Sequence, residues 1–588
     1  MPFLTNMITG VSAGQVTETA DRLFMTAAER TTVGSFRNVM TFPGVQAAVD
    51  AGTNATAAIQ AAIDACAPLS IPLFFPAGTY RVKALGIKSG TIMFGAFGAT
   101  VFKLLDNSVN WDFVLKTAGT PSVDNVILRD FCIDGNSVQI GPIGVEQMHG
   151  IALQGNHHNW LIDNLIIQNC VGDGIWVTAA ASGTLIPEDV RIRNVTTYNC
   201  GRQDIAIVNV NGCSVSGCTG DGKFDVEANN STETCKNIVI TDIQYNYIAI
   251  SSLGAVSGAV QQDSIIASGL ISNTTIHIWG VGHGSFSNMQ AAGAVDVSEC
   301  YRCTFTNIVA ACMRVFAANN YFSRDNRFAN ITLFGSEDPG RLYGLLLSNT
   351  HSNEFSGISI RAPGASRDGL KIQNATAPAA ANTTTFRDVV IHDHGRYGVY
   401  VVSSAALSNC VFLFTQLSVL VAGTNPIYYS SAGTTGYGEI QISGSSVKGR
   451  PIFTTAAVVK IDGLVVNGDY SIELSYSAGK KISLDNIKFY RDTPGTPGIH
   501  LNNNTDIQSL YVGKVVQLPE GSVTLNMGTS TLASGVKAWI DGPVVESTSW
   551  ASTLADANIR EGSMYRMRGN ATNWGYTHNG TAWVAKAH

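Results

Sequence analysis

Charge is scarce in this chain. Of its 588 residues only 14% are Asp, Glu, Lys or Arg, 37 basic against 43 acidic, for a formal net charge of -6. So little positive charge excludes a dedicated nucleic-acid binder, which draws its affinity from clustered Lys and Arg. With 45% hydrophobic residues the chain is also too apolar to stay disordered. Long apolar runs are missing too: none reaches the roughly 18 residues that cross a bilayer. The opening MPFLTNMITGVSAGQ lacks the charged n-region of a signal peptide. Neither membrane insertion nor conventional Sec secretion is expected. Eleven cysteines are present, but no second C-x-x-C accompanies Cys300 and Cys303, so zinc or thioredoxin-like chemistry is not expected. An odd count suits small buried hydrophobes in a reducing cell. No cofactor and no metal is expected.

What the chain has instead is glycine, 59 of them, with many asparagines. Such a chain turns often. NATAAIQAAIDAC at 54–66 carries Ala58, Ile59, Ala62, Ile63 and Cys66 at helical spacing, which predicts one amphipathic helix. IPLFFPAGTYRVKALGIKSGTIMFGAFGATVFKLL follows at once and reads as strands joined by turns. From about 120 to 515, runs such as VDNVILRDFCIDG, NWLIDNLIIQNC and CKNIVITDIQ are punctuated by Gly, Asn, Asp or Ser, with strands expected to be only three to six residues long.

The runs repeat. NCVGDGIWV at 169–177 aligns with NCGRQDIAI at 199–207, GRQDIAIVN at 201–209 with GKFDVEANN at 222–230, and HGIALQG at 149–155 with DGIWVTA at 173–179. Later copies are RLYGLLLSN at 341–349, SRDGLKIQN at 366–374 and GRYGVYVVS at 395–403. Repeats of about 20–30 residues built from short strands mean a solenoid. Helical periodicity and an L-x-x-L-x-L frame are both missing, which leaves an all-β fold, a parallel β-helix. Stacking completes each strand's backbone hydrogen bonds. About 16 coils would make a rod about 75 Å long. The helix at 54–66 would cap its first edge.

The predicted domains are a short adaptor at 1–36, the β-helix at 37–515, and a C-terminal β module at 516–588 for oligomerisation or glycan binding. In the adaptor, Thr26 and Glu29 have capping-box spacing. In the module, Trp574, Tyr576 and Trp583 are candidate glycan contacts.

Chemistry concentrates at 169–230. With Ile205, Ile207, Val226 and Ala228 inward, Asp204, Asp225 and Glu227 point out. The alignment predicts Asp204 directly over Asp225, about 4.8 Å away at the backbone, with Glu227 about 6.7 Å along the strand and about 8 Å from Asp204. These spacings bracket the carboxylate separations of retaining and inverting glycosidases. Like charges stacked on one face are unfavourable unless used, and their proximity raises one carboxyl pKa, making a general acid beside a base. The bland alternative is a solvated strip.

Arg202 is predicted to stack on Lys223, one coil apart, to clamp an acidic sugar. Asp173 aligns with Gln203, and His149 with Asp173, so His149 is a candidate proton carrier or substrate contact. Trp176 aligns with Ala206 and Glu227, an indole on which a sugar could stack. Asp296 and Glu299 in AVDVSEC are a possible second groove feature. Asp325 and Asp368 are assigned to turns, where Asp satisfies backbone groups. The pairs His157–His158 and His392–His394 lack companion ligands.

The helix–strand opening resembles that of the pectate-lyase-like right-handed β-helix proteins, and NCVGDGIWV, GRQDIAIVN and KFDVEANN resemble that superfamily's G-D-G-I, R-Q-G-I and G-I-D-I-E-P-N coils. Asp204 stands here where the superfamily has glycine, Phe224 precedes Asp225, and Ala228 replaces proline. ADRLFMTAAERT resembles a segment of phage tail fibres and tailspikes. Together the resemblances imply a tailspike depolymerase of a bacterial capsule, exopolysaccharide or O-antigen. They imply a homotrimer fixed to the phage tail and acting at the bacterial surface. Endo-hydrolysis by paired carboxylates is the first expectation, with Glu227 as acid and Asp204 or Asp225 as base. A lyase acting by β-elimination on a uronate glycan, using Arg202, Lys223 and His149, is the second. A non-enzymatic adhesin is the third.

Overall fold

The computed structural model describes residues 36–518 except 118–121, 141–146, 180–185, 229–232, 253–261, 318–322, 336–340, 363, 365, 375–381, 404–409, 421–424, 432–437, 455–457, 476–480, 491–497 and 503–506; beyond 518 it describes 524–526, 537–541, 564–568, 574–578 and 583–587. The Thr26–Glu29 capping box and the rest of the adaptor lie outside the described residues.

Helix α1 (Thr56–Cys66) forms where its spacing predicts, burying Ile59, Ala62, Ile63 and Cys66. The Gln60 side chain bridges it to the first coil, accepting from Gly86 N (2.7 Å) and donating to Gly86 O (3.0 Å). A sheet edge that would otherwise recruit another chain is thereby covered.

Behind the helix the strands wind into a parallel β-helix. A typical coil supplies three strands: Ile151–Gln154, His158–Asp163 and Ile166–Gln168 pair in parallel with Ile175–Thr178, Glu188–Arg193 and Thr196–Tyr198 of the next. Parallel pairing runs past the expected boundary at 515–516, through Val515–Leu518 to Lys537–Asp541. Met564–Arg568 still pairs in parallel with Lys537–Asp541 and, on its other edge, antiparallel with Trp574–His578, which pairs antiparallel with Trp583–Ala587; Trp574, Tyr576 and Trp583 lie on these last two strands.

Strand length departs from expectation. Cys235–Ser252 and Gln262–Trp279 each run 18 residues. They round corners because single left-handed residues make the bends, Asn237 and Asp242 (φ 53° and 54°) in the first and Ser264 and Gly269 (φ 56° and 68°) in the second. The same corner recurs coil after coil, at Asn288, Asn307, Asn330 and Gly357 among others. Asparagine tolerates this conformation and links to its neighbour: Asn330 donates to Asn307 (3.2 Å) and Asn307 to Asn288 (3.0 Å). Glycine takes the corner at no steric cost. The turn-rich composition is therefore a column of corners.

The core fills the lumen. Phe286, Phe305, Phe328, Phe355, Phe386 and Phe414 occupy one register and stack ring on ring, with centroids 4.6–5.1 Å apart. The described cysteines are all free, and all but Cys200 are buried. Cys170 and Cys200 lie against each other in adjacent coils. No helix among the described residues is long and apolar enough to cross a membrane.

Candidate active site

One sheet carries the candidate residues. Its successive strands are β1 (Ile151–Gln154), β2 (Ile175–Thr178), β3 (Ile205–Ile207), β4 (Lys223–Ala228), β5 (Cys235–Ser252), β6 (Gln262–Trp279), β7 (Ser285–Ser298) and β8 (Thr304–Phe316). Along it one register position holds Trp176, Ala206, Asp225, Ala249, His277, Asp296 and Arg314.

This register corrects the predicted stack. Ala206, not Asp204, pairs with Asp225, and Ile205 pairs with Phe224. The alignment of GRQDIAIVN with GKFDVEANN set Phe224 against Gln203. Its ring is fully buried and packs on Tyr245 at 5.5 Å, so the coil step is set by apolar stacking and not by the aspartates. Trp176 accordingly shares its column with Asp225 rather than Glu227. Lys223 lies over Asp204, whose N–H donates to its carbonyl (2.8 Å), and not over Arg202.

Asp204 belongs to the corner. Its Oδ2 accepts from Gly222 N at 2.8 Å, and a Cβ added at Gly220 would collide with that oxygen. Burial lifts its pKa to about 6, opposed by the Gly222 bond. Asp204 thus buttresses the turn entering β4. Asp204→Ala leaves the half-buried Gly222 N–H without its acceptor, at a cost of about 1 kcal/mol. Asp204→Asn keeps an acceptor, so thermal denaturation should show a smaller loss of melting temperature than in Asp204→Ala.

Asp225 and Glu227 alternate outward on β4 while Phe224 and Val226 enter the core. The Asp225 carboxyl is fully buried. Its Oδ2 contacts Lys223 Nζ and lies 3.5 Å from Gln203 Nε2, while Oδ1 has no hydrogen-bond donor. Glu227 reaches hydrogen-bonding distance of the same carboxyl. Burial pushes the Asp225 pKa up to about 7; the Glu227 charge adds to the rise and Lys223 opposes it. A proton shared between the two carboxyls satisfies both.

The predicted polar column stands. Asp173 N donates to His149 Nδ1 (2.8 Å), and Gln203 N donates to Asp173 Oδ1 (3.0 Å), so His149, Asp173 and Gln203 lead to Asp225. His149 is no proton carrier at neutral pH: burial, with Arg202 nearby, drops its pKa to about 3. With Nδ1 accepting, Nε2 carries the proton toward Gln147 Oε1 (3.0 Å). Its ring lies between Phe113 and Trp176, with centroids 5.5 and 4.8 Å away. His149 and Asp173 are buried, so they support Trp176 and Gln203 from beneath; Trp176 itself is half-exposed. Arg202 Nη1 lies 3.7 Å from Asp173 Oδ2, at the margin of the group.

Further along the same face are residues the sequence reading passed over. Lys223 Nζ lies 5.7 Å from the centre of the Tyr247 ring, and Tyr247 OH is 3.4 Å from His277 Nδ1. Burial raises the Tyr247 pKa, aided by Asp225, and burial lowers that of His277. Asp296, the expected second groove feature, is held by Arg314 (3.0 Å) and Arg341 (3.1 Å). Glu299 accepts from Trp279 Nε1 (2.6 Å). The signal was the run IHIW, whose alternation turns His277 and Trp279 outward. Among the described residues no cluster of His, Cys, Asp or Glu is arranged to hold a metal ion.

Residues 36–251 match the family described as "Rhamnogalacturonase A/epimerase, pectate lyase-like". That stretch contains Asp204, Asp225 and Glu227 and ends before His277 and Asp296. No curated protein matches the chain. Among solved structures, the chain is similar to the A-module of the mannuronan C-5 epimerase AlgE4 of Azotobacter vinelandii (16% identity, TM-score 0.45, covering 67% of this chain and 100% of that one). It is similar to an N-terminal fragment of bacteriophage phi29 gene product 12 (14%, 0.42, 86% and 92%). A third is the family 28 exopolygalacturonase of Yersinia enterocolitica (12%, 0.22, 79% and 79%).

Proposed function

We propose that this chain is a depolymerase of a uronate-containing bacterial surface polysaccharide, carried as a homotrimeric phage tailspike, and that it breaks glycosidic bonds by hydrolysis at Asp225 and Glu227. One observation carries the reading: a buried carboxyl with its pKa near 7, in contact with a second carboxyl and a lysine. Such a group is an acid at neutral pH, the state in which it can protonate a glycosidic oxygen. Asp225 is therefore the donor and Glu227 the partner that receives a proton from water, the reverse of the order expected from sequence. Unliganded, the two carboxyls are closer than the roughly 5–9.5 Å of working glycosidase pairs, so the sugar must part them as it enters. Trp176, two rungs or about 10 Å away along the axis, supplies a stacking platform. The match over 36–251 supports an acidic glycan as substrate. The ADRLFMTAAERT resemblance supports attachment to a virion.

Elimination is a second reading with its own support. Tyr247 bonded to His277, beside the Lys223 cation, offers a base and a counter-charge for a uronate carboxylate. Incubation with capsules and lipopolysaccharides from a panel of bacteria, with product sizing and ultraviolet detection of unsaturated uronides, decides. Shortened products without unsaturation are expected. Unsaturated products would replace hydrolysis by elimination, and tight binding without shortening would make the chain an adhesin.

A further inference from the structure

The column that holds Asp225 does not end at Arg314. It continues through β9 (Tyr343–Ser348), β10 (Asp368–Asn374), β11 (Tyr397–Ser403) and β12 (Asn425–Ser431), where Leu346, Lys371, Tyr400 and Tyr428 take the same register position. Lys371 and Tyr428 lie six and eight rungs from Asp225, about 29 and 38 Å. Asp368, expected at a turn, instead opens β10 fully buried, and the Arg396 guanidinium grips it with two bonds (2.9 and 2.6 Å). So fixed, Arg396 lies 5.0 Å from the Tyr397 ring centre and 5.1 Å from that of Tyr400. Tyr397 stacks on Tyr428 at 4.8 Å, and Lys371 Nζ lies 6.0 Å from the Tyr400 centre. The three tyrosines are half-exposed.

Arg396 is neutralised by Asp368. Lys371 forms no ion pair among the described residues, so the patch keeps one uncompensated positive charge. Burial and the nearby Arg396 both disfavour that charge, with Asp368 opposing, and an arriving anion would relieve it. Half-exposed aromatic rings beside a cation suit a sugar ring that carries a carboxylate: the ring's C–H face stacks and the carboxylate meets the ammonium.

We infer that Lys371, Tyr397, Tyr400 and Tyr428 form a second binding site for an acidic polysaccharide, which holds a distant stretch of the same chain that is cut at Asp225. Charge complementarity and continuity with the Asp225 column select this occupant, and the inference rests on the depolymerase reading for the cut. The site would keep a long polymer on the enzyme between cuts, raising effective concentration rather than chemical rate.

The test separates binding from cleavage. The full-length Asp225→Asn protein is run in native gels containing alginate, polygalacturonate or acidic capsule polysaccharide from the panel, with dextran as the neutral control. At least one acidic gel should retard it and dextran should not. Lys371→Ala and Tyr400→Ala should each weaken the retarding interaction about fivefold, while Tyr400→Phe, which keeps the ring, preserves it. The inference is overturned if no acidic gel retards the protein, if dextran retards it equally, or if retardation survives both alanine changes; its loss in Trp176→Ala would then place binding at the Asp225 end of the column. Failure of the depolymerase reading shows differently: wild-type protein would leave every polymer uncut while its retardation remained.

Discussion

Asp225→Asn should lower the rate of polysaccharide cleavage by about 10²–10⁴ and leave the β-helix folded. The amide has nearly the volume of the acid and can still face Lys223 and Gln203, but it cannot deliver a proton. Glu227→Gln should follow it, because removing either carboxyl breaks the shared proton. A comparable loss in Asp204→Asn is not expected, since that carboxylate faces the Gly222 amide and not the groove. Circular dichroism and product sizing on the three variants decide the matter. Full activity in Asp225→Asn would move the chemistry to Tyr247 and His277, where Tyr247→Phe becomes the informative change.

The same carboxyl gives the pH dependence a sign. An acid with a pKa near 7 is lost as donor above neutrality, so cleavage should fall about tenfold per pH unit there. Stability follows the same group. The folded pKa lies above the unfolded value of about 3.9, so the native state binds the extra proton between those limits. The stabilising contribution is complete below the unfolded value and is lost as pH rises through about 7. Asp225→Asn has no such group. Its melting temperature should therefore gain on wild type from about pH 5 to about pH 8. A constant difference across that range would mean that Asp225 does not titrate there.

These expectations hang on a register that the sequence only half revealed. Coils were legible because Asn and Gly recur at each corner and because Ile, Val and Cys alternate between them. Offsets of 30 at 169–199 and 24 at 149–173 were read correctly, since equivalent apolar and turn residues coincide there. The next coil deceived because its aspartates align only by ignoring Phe224, and a buried ring outweighs a repeated acid in setting how coils stack. Tyr247 and His277 were missed for a related reason. They sit on 18-residue strands with no Gly-Asp-Gly turn to mark the step between coils.

The largest structural effect should come from the phenylalanine column. Phe355 is buried with its ring 4.6 Å from Phe328 and 5.1 Å from Phe386, nearly parallel to both. Phe355→Ala opens a cavity of ring size and interrupts the stack, for a loss of about 3–5 kcal/mol. In a solenoid each coil touches only its neighbours, so the damage divides the rod into two halves that no longer support each other. Urea unfolding should therefore show a lower midpoint and a shallower or biphasic transition, with Phe355→Leu intermediate because it refills part of the space. A sharp transition at the wild-type midpoint would mean that neighbouring coils close over the gap and that the column is filler. The half that follows Phe355 and bears Tyr400 holds fewer of the described coils than the half that bears Asp225, so it should melt first. In that case retention by acidic polysaccharide should fail before cleavage at Asp225 does, because the two sites lie on opposite sides of the interrupted stack.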